Sequence, residues 1–175
     1  VQAIREFSHP SLKEKSFADL NKAIQTTVTI SKNEWKYCAD LETDLDESLP
    51  LVFCRIDEIN QVLLNIIINA AHAIREGIDP SSTEKGKIKI KSWHKGKSIA
   101  ISISDTGCGI SEEILNRIFD PFFTTKDVGK GTGQGLYLAH NIITKHHGGI
   151  ISVKSKLGSG STFTIELPIQ PLKVK

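Results

Sequence analysis

Asp57-Glu-Ile-Asn-Gln-Val-Leu-Leu-Asn65-Ile-Ile-Ile-Asn69-Ala-Ala-His72-Ala-Ile-Arg-Glu76 is the stretch on which the fold turns. At about 100° per residue, Glu58, Gln61, Asn65, Asn69, His72 and Glu76 fall on one narrow polar stripe, while Ile59, Val62, Leu63, Ile66, Ile67, Ala70 and Ile74 cover most of the remaining surface. The pattern predicts a long helix that is apolar around most of its circumference and is ended by Gly77. A solvated face normally carries Glu, Lys and Arg, whereas asparagine is a poor helix former whose side chain competes for the backbone. Two asparagines four residues apart therefore call for a reason beyond solvation. Neutral amide oxygens one turn apart suit a hard cation such as Mg²⁺, which also keeps waters and substrate phosphates around it.

The elements outside this helix fix its surroundings. Val1 to Ser8 reads as the end of a helix, broken at His9-Pro10-Ser11. Asp19 to Trp35 predicts a helix capped by Asp19, and Cys38 to Leu45 and Leu51 to Cys54 predict short strands. After a turn-rich link, Lys87 to Trp93 and Ser98 to Ser104 alternate polar with apolar across His94-Lys95-Gly96-Lys97, as a hairpin does. A short helical segment is expected from Ser111 to about Phe119, a long loop from Asp120 to Gly133, and a helix from Gln134 to His147 closed by Gly148-Gly149. Ile150 to Ser155 and Thr162 to Leu167 form a last hairpin. Helices and mostly antiparallel strands in segregated runs predict an α+β fold, a two-layer α/β sandwich with helices on one face of a sheet.

The 175 residues leave room for one domain and a short appendage. Lys and Arg number 22 against 20 Asp and Glu, a net charge of +2 that is too balanced to argue for nucleic acid or an anionic membrane. Any phosphate binding must then be local. Cys38, Cys54 and Cys108 are odd in number and form no C-x-x-C pair, which disfavours a disulfide framework or a zinc site and points to a reducing, cytoplasmic setting. The longest apolar stretch is interrupted by Asn65 and Asn69 well short of the ~20 residues a membrane span needs.

Three further segments carry chemistry. Asp105-Thr-Gly107-Cys-Gly109-Ile110 leaves the end of a strand and offers a buried carboxylate acceptor beside closely approachable backbone, a combination that could grip an exocyclic amine; an ordinary D-x-G turn is the plainer reading. Gly129-Lys-Gly131-Thr132-Gly133-Gln134-Gly135-Leu136 runs straight into a helix, where glycines allow close approach and the helix N-terminus favours anions. It fits neither the Walker loop nor the dinucleotide fingerprint. Between them, Phe119-Asp-Pro-Phe122-Phe123 places three phenylalanines in five residues of a loop, costly to leave in water at roughly 1.5 to 3 kcal/mol each, so the loop must dock on something. Lys126 follows, a flexible point charge placed to reach a phosphate.

Taken in order, Asn65-x-x-x-Asn69-Ala70, Asp105-x-Gly107-x-Gly109, Phe119-Asp-Pro-Phe-Phe123, Gly131-Thr-Gly-Gln-Gly-Leu136 and Gly158-Ser-Gly160-Ser-Thr-Phe163 resemble the N, first glycine, F, second glycine and third glycine boxes of sensor histidine kinases. The resemblance spans about Asp19 to Pro168 and is to the catalytic ATP-binding domain of the wider family that includes DNA gyrase, mismatch-repair ATPases and the heat-shock chaperone. It implies a Bergerat-type sandwich with a mixed, mostly antiparallel sheet and an ATP lid. It further implies residues 1–18 as the end of a dimerisation helix and linker, 19–170 as the catalytic domain and 171–175 as a tail.

Carried over residue by residue, the resemblance makes Asn69 the Mg²⁺ ligand supported by Asn65, and Asp105 the acceptor for the adenine amino group of ATP. Gly107 and Gly109 would shape that pocket, with Ile110 and Phe123 in the nucleotide-binding set. Gly131, Thr132, Gly133, Gln134, Gly135 and Leu136 would form lid and phosphate cradle, Lys126 would meet the phosphates, and Thr162 would help Asp105 hold adenine through water. His72 stands where many relatives carry a basic phosphate-contacting side chain, and Ala73 replaces an aromatic that some relatives stack on adenine.

Gyrase-like relatives place a glutamate base four residues before the magnesium asparagine; here that position is Asn65, and an amide cannot take the proton. The resemblance thus implies slow hydrolysis and transfer of the γ-phosphate to a histidine on a separate dimerisation domain, then to a response regulator receiver domain. That histidine is not found in the chain, since His9 is followed by Pro10 rather than an acidic residue. The isolated domain is expected to be a cytoplasmic monomer, whether or not its parent is membrane-bound. The alternatives are a clamp-type ATPase and a nucleotide-binding module without transfer activity.

Overall fold

A computed structural model describes residues 14–125 and 131–170. The N-terminal helix end, His9, Lys126, Gly129, Lys130 and the 171–175 tail lie outside the described residues. Strand β1 (Ser16–Ala18) leads into helix α1 (Leu20–Ile30), then come α2 (Lys32–Trp35), β2 (Ala39–Leu45), β3 (Val52–Cys54) and the long α3 (Ile56–Gly77). β4 (Gly86–Lys95) and β5 (Ser98–Asp105) follow, then α4 (Glu112–Leu115), α5 (Gly135–Asn141) with a π-helical continuation over Ile142–His146, and β6 (Ile150–Lys156) and β7 (Gly160–Pro168).

Five strands form one sheet in the order β2-β4-β5-β7-β6, and β1 pairs with β3 in a separate two-stranded ribbon. Within the large sheet β2 and β4 run parallel and the other pairs antiparallel, with helices on one face. The alternation of β4 puts Ile88 and Ile90 at 0% exposure while Lys87, Lys89 and Lys91 face solvent. Ile59, Val62, Leu63, Ile66, Ile67 and Ile74 of α3 pack on this inner face, each essentially inaccessible to water. At ~25 cal/mol per Å² of apolar area removed from water, such burial is the main force holding α3 to the sheet.

Several expected boundaries shift for local reasons. The predicted helix from Asp19 to Trp35 starts as expected, with the Asp19 carboxylate accepting from the Lys22 N–H at 3.1 Å, but it breaks at Ser31. The break follows the run Thr26-Thr-Val-Thr-Ile30, rich in β-branched residues, and the Ser31 hydroxyl donates back to the Val28 carbonyl at 3.3 Å. Ser16–Ala18, expected to be linker, is a strand in register with Val52–Cys54, so ordered structure begins before residue 19. The segment expected to be helical from Ser111 to Phe119 is helical only over Glu112–Leu115, and the last helix changes to π geometry at Ile142.

Candidate nucleotide site

The polar stripe of α3 faces a cavity of about 410 Å³ bounded by the loop after β5, the start of β7 and the segments flanking residues 126–130. Asn65, Asn69, His72, Ala73 and Glu76 line it from the helix. Glu58, on the same stripe, does not. It is buried at the first turn, where it pairs with Arg55 at 3.3 Å and His146 at 3.1 Å.

The loop after β5 is fastened to α3 by its backbone. The Cys108 N–H donates to the Ala73 carbonyl at 2.9 Å, and a Cβ on Gly107 would stand 2.5 Å from the Ala73 carbonyl carbon. Only a residue without a side chain lets loop and helix approach this closely. The turn leaves Asp105 8% exposed on the cavity wall, its Oδ1 accepting from the Gly107 N–H at 2.8 Å. Burial pushes the Asp105 carboxyl above its usual range, against the opposing pull of backbone N–H groups of Gly107 and Ser161. Cys108 shares this end of the cavity, its thiol pushed up by burial and by Glu76, whose Oε2 lies 3.8 Å from its Sγ.

At the other end, the Asn65 amide donates to the Gly135 carbonyl at 3.2 Å, joining α3 to the first residue of α5. Gly131, Thr132, Gly133, Gly135 and Leu136 all line the cavity, and the Thr132 hydroxyl accepts from the Gln134 N–H at 3.3 Å. Of the three phenylalanines, Phe119 packs edge-on to Phe163 at 6.4 Å and against His140 at 5.2 Å, and Phe123 lines the cavity beneath the Arg117 guanidinium. Phe122 does not dock. It stays 72% exposed with φ +63°, its backbone packed on Gly133.

The cavity thus gathers Asn65, Asn69, His72, Ala73, Asp105, Gly109, Ile110, Phe123, Gly131, Thr132, Gly133, Gly135 and Leu136. Gly107 supports it from behind, Gln134 stands at the start of α5 without lining it, and Lys126 lies outside the described residues. Thr162 is placed elsewhere: its hydroxyl meets Ser104 at 2.9 Å on the outer face of the sheet. The inward neighbour is Ser161, 6% exposed, in register with Asp105 and lining the cavity. Strand alternation carries this signal, because Phe163 points inward and Ser161, two residues before it, must share its face.

Among the described residues no group of three or more His, Cys, Asp or Glu side chains could hold a metal by itself, and no helix is long and apolar enough to cross a membrane. A metal held here would lean on carboxamide oxygen, water and ligand oxygens. The Asn69 side chain, a neutral oxygen donor on the cavity wall, fits Mg²⁺ bound in that way.

An α/β sandwich whose helical asparagines and buried aspartate share one cavity defines a class of nucleotide-handling domain, and the comparisons with known proteins agree. Residues 54–171 match the family described as histidine kinase-, DNA gyrase B- and HSP90-like ATPases, and the chain belongs to that family. It is 40% identical over 173 residues, 98% of its length, to the signal transduction histidine-protein kinase AtoS of Escherichia coli (strain K12), of which it spans 27%. The catalytic domain of histidine kinase ThkA superposes with a TM-score of 0.77 at 32% identity, covering 91% of this chain and all of that one. ThkA has also been solved in complex with the response regulator protein TrrA; there the TM-score is 0.71 at 28% identity, covering 99% of this chain and 47% of the ThkA chain.

Proposed function

We propose that the chain is the catalytic domain of a two-component sensor histidine kinase, binding ATP with Mg²⁺ and delivering the γ-phosphate to a histidine on a dimerisation domain. The observation that carries this reading is a single cavity with a buried carboxylate at one end and a pair of helical carboxamides at the other. Asp105 would accept from the adenine amino group with Ser161 beside it, a role suited to a carboxylate already turned inward by the Gly107 N–H. Asn69, with Asn65 one turn earlier, would face the polyphosphate, where His72 would offer a ring N–H and Lys126 a positive charge. Mg²⁺, when bound, would neutralise the triphosphate and hold its oxygens in place.

The Gly131–Leu136 segment would wrap the phosphates at the start of the helical run that begins at Gly135. Catalysis on this reading consists of placement and charge stabilisation, with the nucleophile supplied from outside the domain. Asn65 supports transfer over hydrolysis, since its amide cannot take a proton from water. The phosphoryl group would pass on to a response regulator, as the ThkA–TrrA complex suggests for a relative.

The test is to mix the chain with the phosphoacceptor domain of its parent kinase and ATP labelled at the γ-phosphate. Acid-labile, alkali-stable label on the acceptor histidine, with little free phosphate, is the expected result. Rapid phosphate release without labelled histidine would make the chain a clamp-type ATPase. ATP binding with neither product would make it a nucleotide-binding module.

A further inference from the structure

The base-facing end of the cavity is held by a residue that does not line it. Ser155, on β6, has its Oγ 2.8 Å from the Ile110 N–H, 3.0 Å from the Gly160 carbonyl oxygen and 2.8 Å from the Ser161 Oγ. A hydroxyl has one proton and two lone pairs. The amide can only donate and the carbonyl can only accept, so Ser155 receives from Ile110 and gives its proton to Gly160. All three contacts are then hydrogen bonds together in one arrangement alone, with Ser161 donating to Ser155.

That arrangement spends the Ser161 proton away from the cavity and leaves Ser161 presenting lone pairs beside the Asp105 carboxylate. Two acceptors in register on the wall match a group with two N–H donors and oppose a carbonyl oxygen. We infer that Ser155 is a positioning residue, which fixes Ser161 as an acceptor and so sets the site's preference for a 6-amino purine over a 6-oxo purine. This rests on the adenine reading proposed above. Ser155 also ties the two loops of this end together, because Ile110 follows Gly109 and Gly160 opens β7.

The experiment is calorimetric titration of the chain with ATP and, separately, inosine triphosphate, in excess Mg²⁺. With Ser155→Ala the Ser161 hydroxyl can turn its proton inward, so the ratio of the two affinities should narrow by about fivefold, the worth of one neutral hydrogen bond. Ser155→Thr, which keeps the hydroxyl, should restore it. Added to Ser161→Ala, Ser155→Ala should change the ratio no further, as expected of residues acting through one another. Equal weakening of both nucleotides, or an unchanged ratio, overturns the inference and leaves a purely structural serine. Should Ser155→Ala fail to fold in a thermal melt, Ser161→Ala decides alone, since an unchanged ratio there also overturns it. A wild-type chain that binds neither nucleotide overturns the ATP reading and this inference together, whereas binding with an unaltered ratio sinks this inference only.

Discussion

Gly109 and Gly148 have almost the same backbone, φ +71° and +63°, but opposite surroundings. A Cβ at Gly109 would stand 2.1 Å from the Lys156 carbonyl oxygen and 2.7 Å from its carbon, whereas a Cβ at Gly148 meets nothing within 4 Å. Replacing either by alanine costs about 1 kcal/mol for the left-handed conformation, reduced by roughly 0.5 kcal/mol because alanine restricts the unfolded chain. At Gly109 the obstacle is backbone of β6, which must recede by roughly 1.3 Å to reach ordinary contact. That movement strains the Gly158 N–H to Cys108 carbonyl bond at 2.7 Å and the Ile110 N–H to Ser155 bond at 2.8 Å, each worth about 1 kcal/mol. Gly109→Ala should therefore destabilise by about 2.5 kcal/mol and Gly148→Ala by about 0.5 kcal/mol. With a urea slope of about 2 kcal/mol per molar, the first shifts the unfolding midpoint by roughly 1.2 M and the second by less than 0.5 M. Trp35 and Trp93 give the fluorescence signal. Equal shifts for the two variants would refute the steric argument, since the left-handed penalty is common to both.

Asp105→Asn should weaken ATP binding by about 1 to 3 kcal/mol, roughly ten- to a hundredfold by calorimetry, because the amide offers one acceptor where the carboxylate offers two; unchanged affinity removes Asp105 from the base contact. Asn69→Ala should abolish the Mg²⁺ dependence of ATP affinity and leave the circular dichroism spectrum intact, and a Mg²⁺ response that survives puts the ligand elsewhere. His147 is 6% exposed, its Nε2 accepting from the Arg55 N–H at 3.1 Å and its Nδ1 2.8 Å from the Ile142 carbonyl, and burial pushes its pKa below the usual value. The folded state then binds a proton less readily than the unfolded chain, so its contribution is complete above the unfolded pKa of about 6.5 and is lost as pH falls below it. Urea midpoints from pH 8 to 5.5 should decline for the wild type and flatten for His147→Asn; a slope untouched by the substitution belongs to another group.

The parts of the fold that were legible in the sequence are those whose pattern repeats within one element. The α3 stripe and the β4–β5 hairpin show their periods over ten residues or more, and the structure has them close to the expected bounds. Strand β1 is three residues long and has no period to read; it exists because Phe17 finds Phe53, with ring centroids 5.2 Å apart. The parallel pairing of β2 with β4 depends on partners more than forty residues apart, such as Leu41 and Ile88, and no local pattern encodes it. At the site, Asp105-x-Gly107 taken alone reads as an ordinary turn, and it is the order of the boxes in the resemblance that points to Asp105 and the glycines, which the structure gathers at or behind one cavity. The resemblance implies Thr162 as the hydroxyl beside Asp105, but two adjacent hydroxyls on a strand point opposite ways, and the alternation turns Thr162 to Ser104 and Ser161 to the cavity.

Asn65 joins the packing to the chemistry. Its amide N–H₂ donates to the carbonyl of Gly135, the first residue of α5, so the position needs a donor for the helix to sit where it does. An ionised glutamate there would have only acceptors to offer and would set its charge against the carbonyl oxygen, a conflict made worse by partial burial. To become a hydrolytic base the residue would have to release α5, and with it the glycine segment that runs into that helix. The amide seats the start of α5, and on the proposed reading it would also, being unable to accept a proton from water, leave the γ-phosphate for another nucleophile. If the proposed reading holds, slow hydrolysis would follow from how α3 and α5 dock as much as from the absence of a carboxylate.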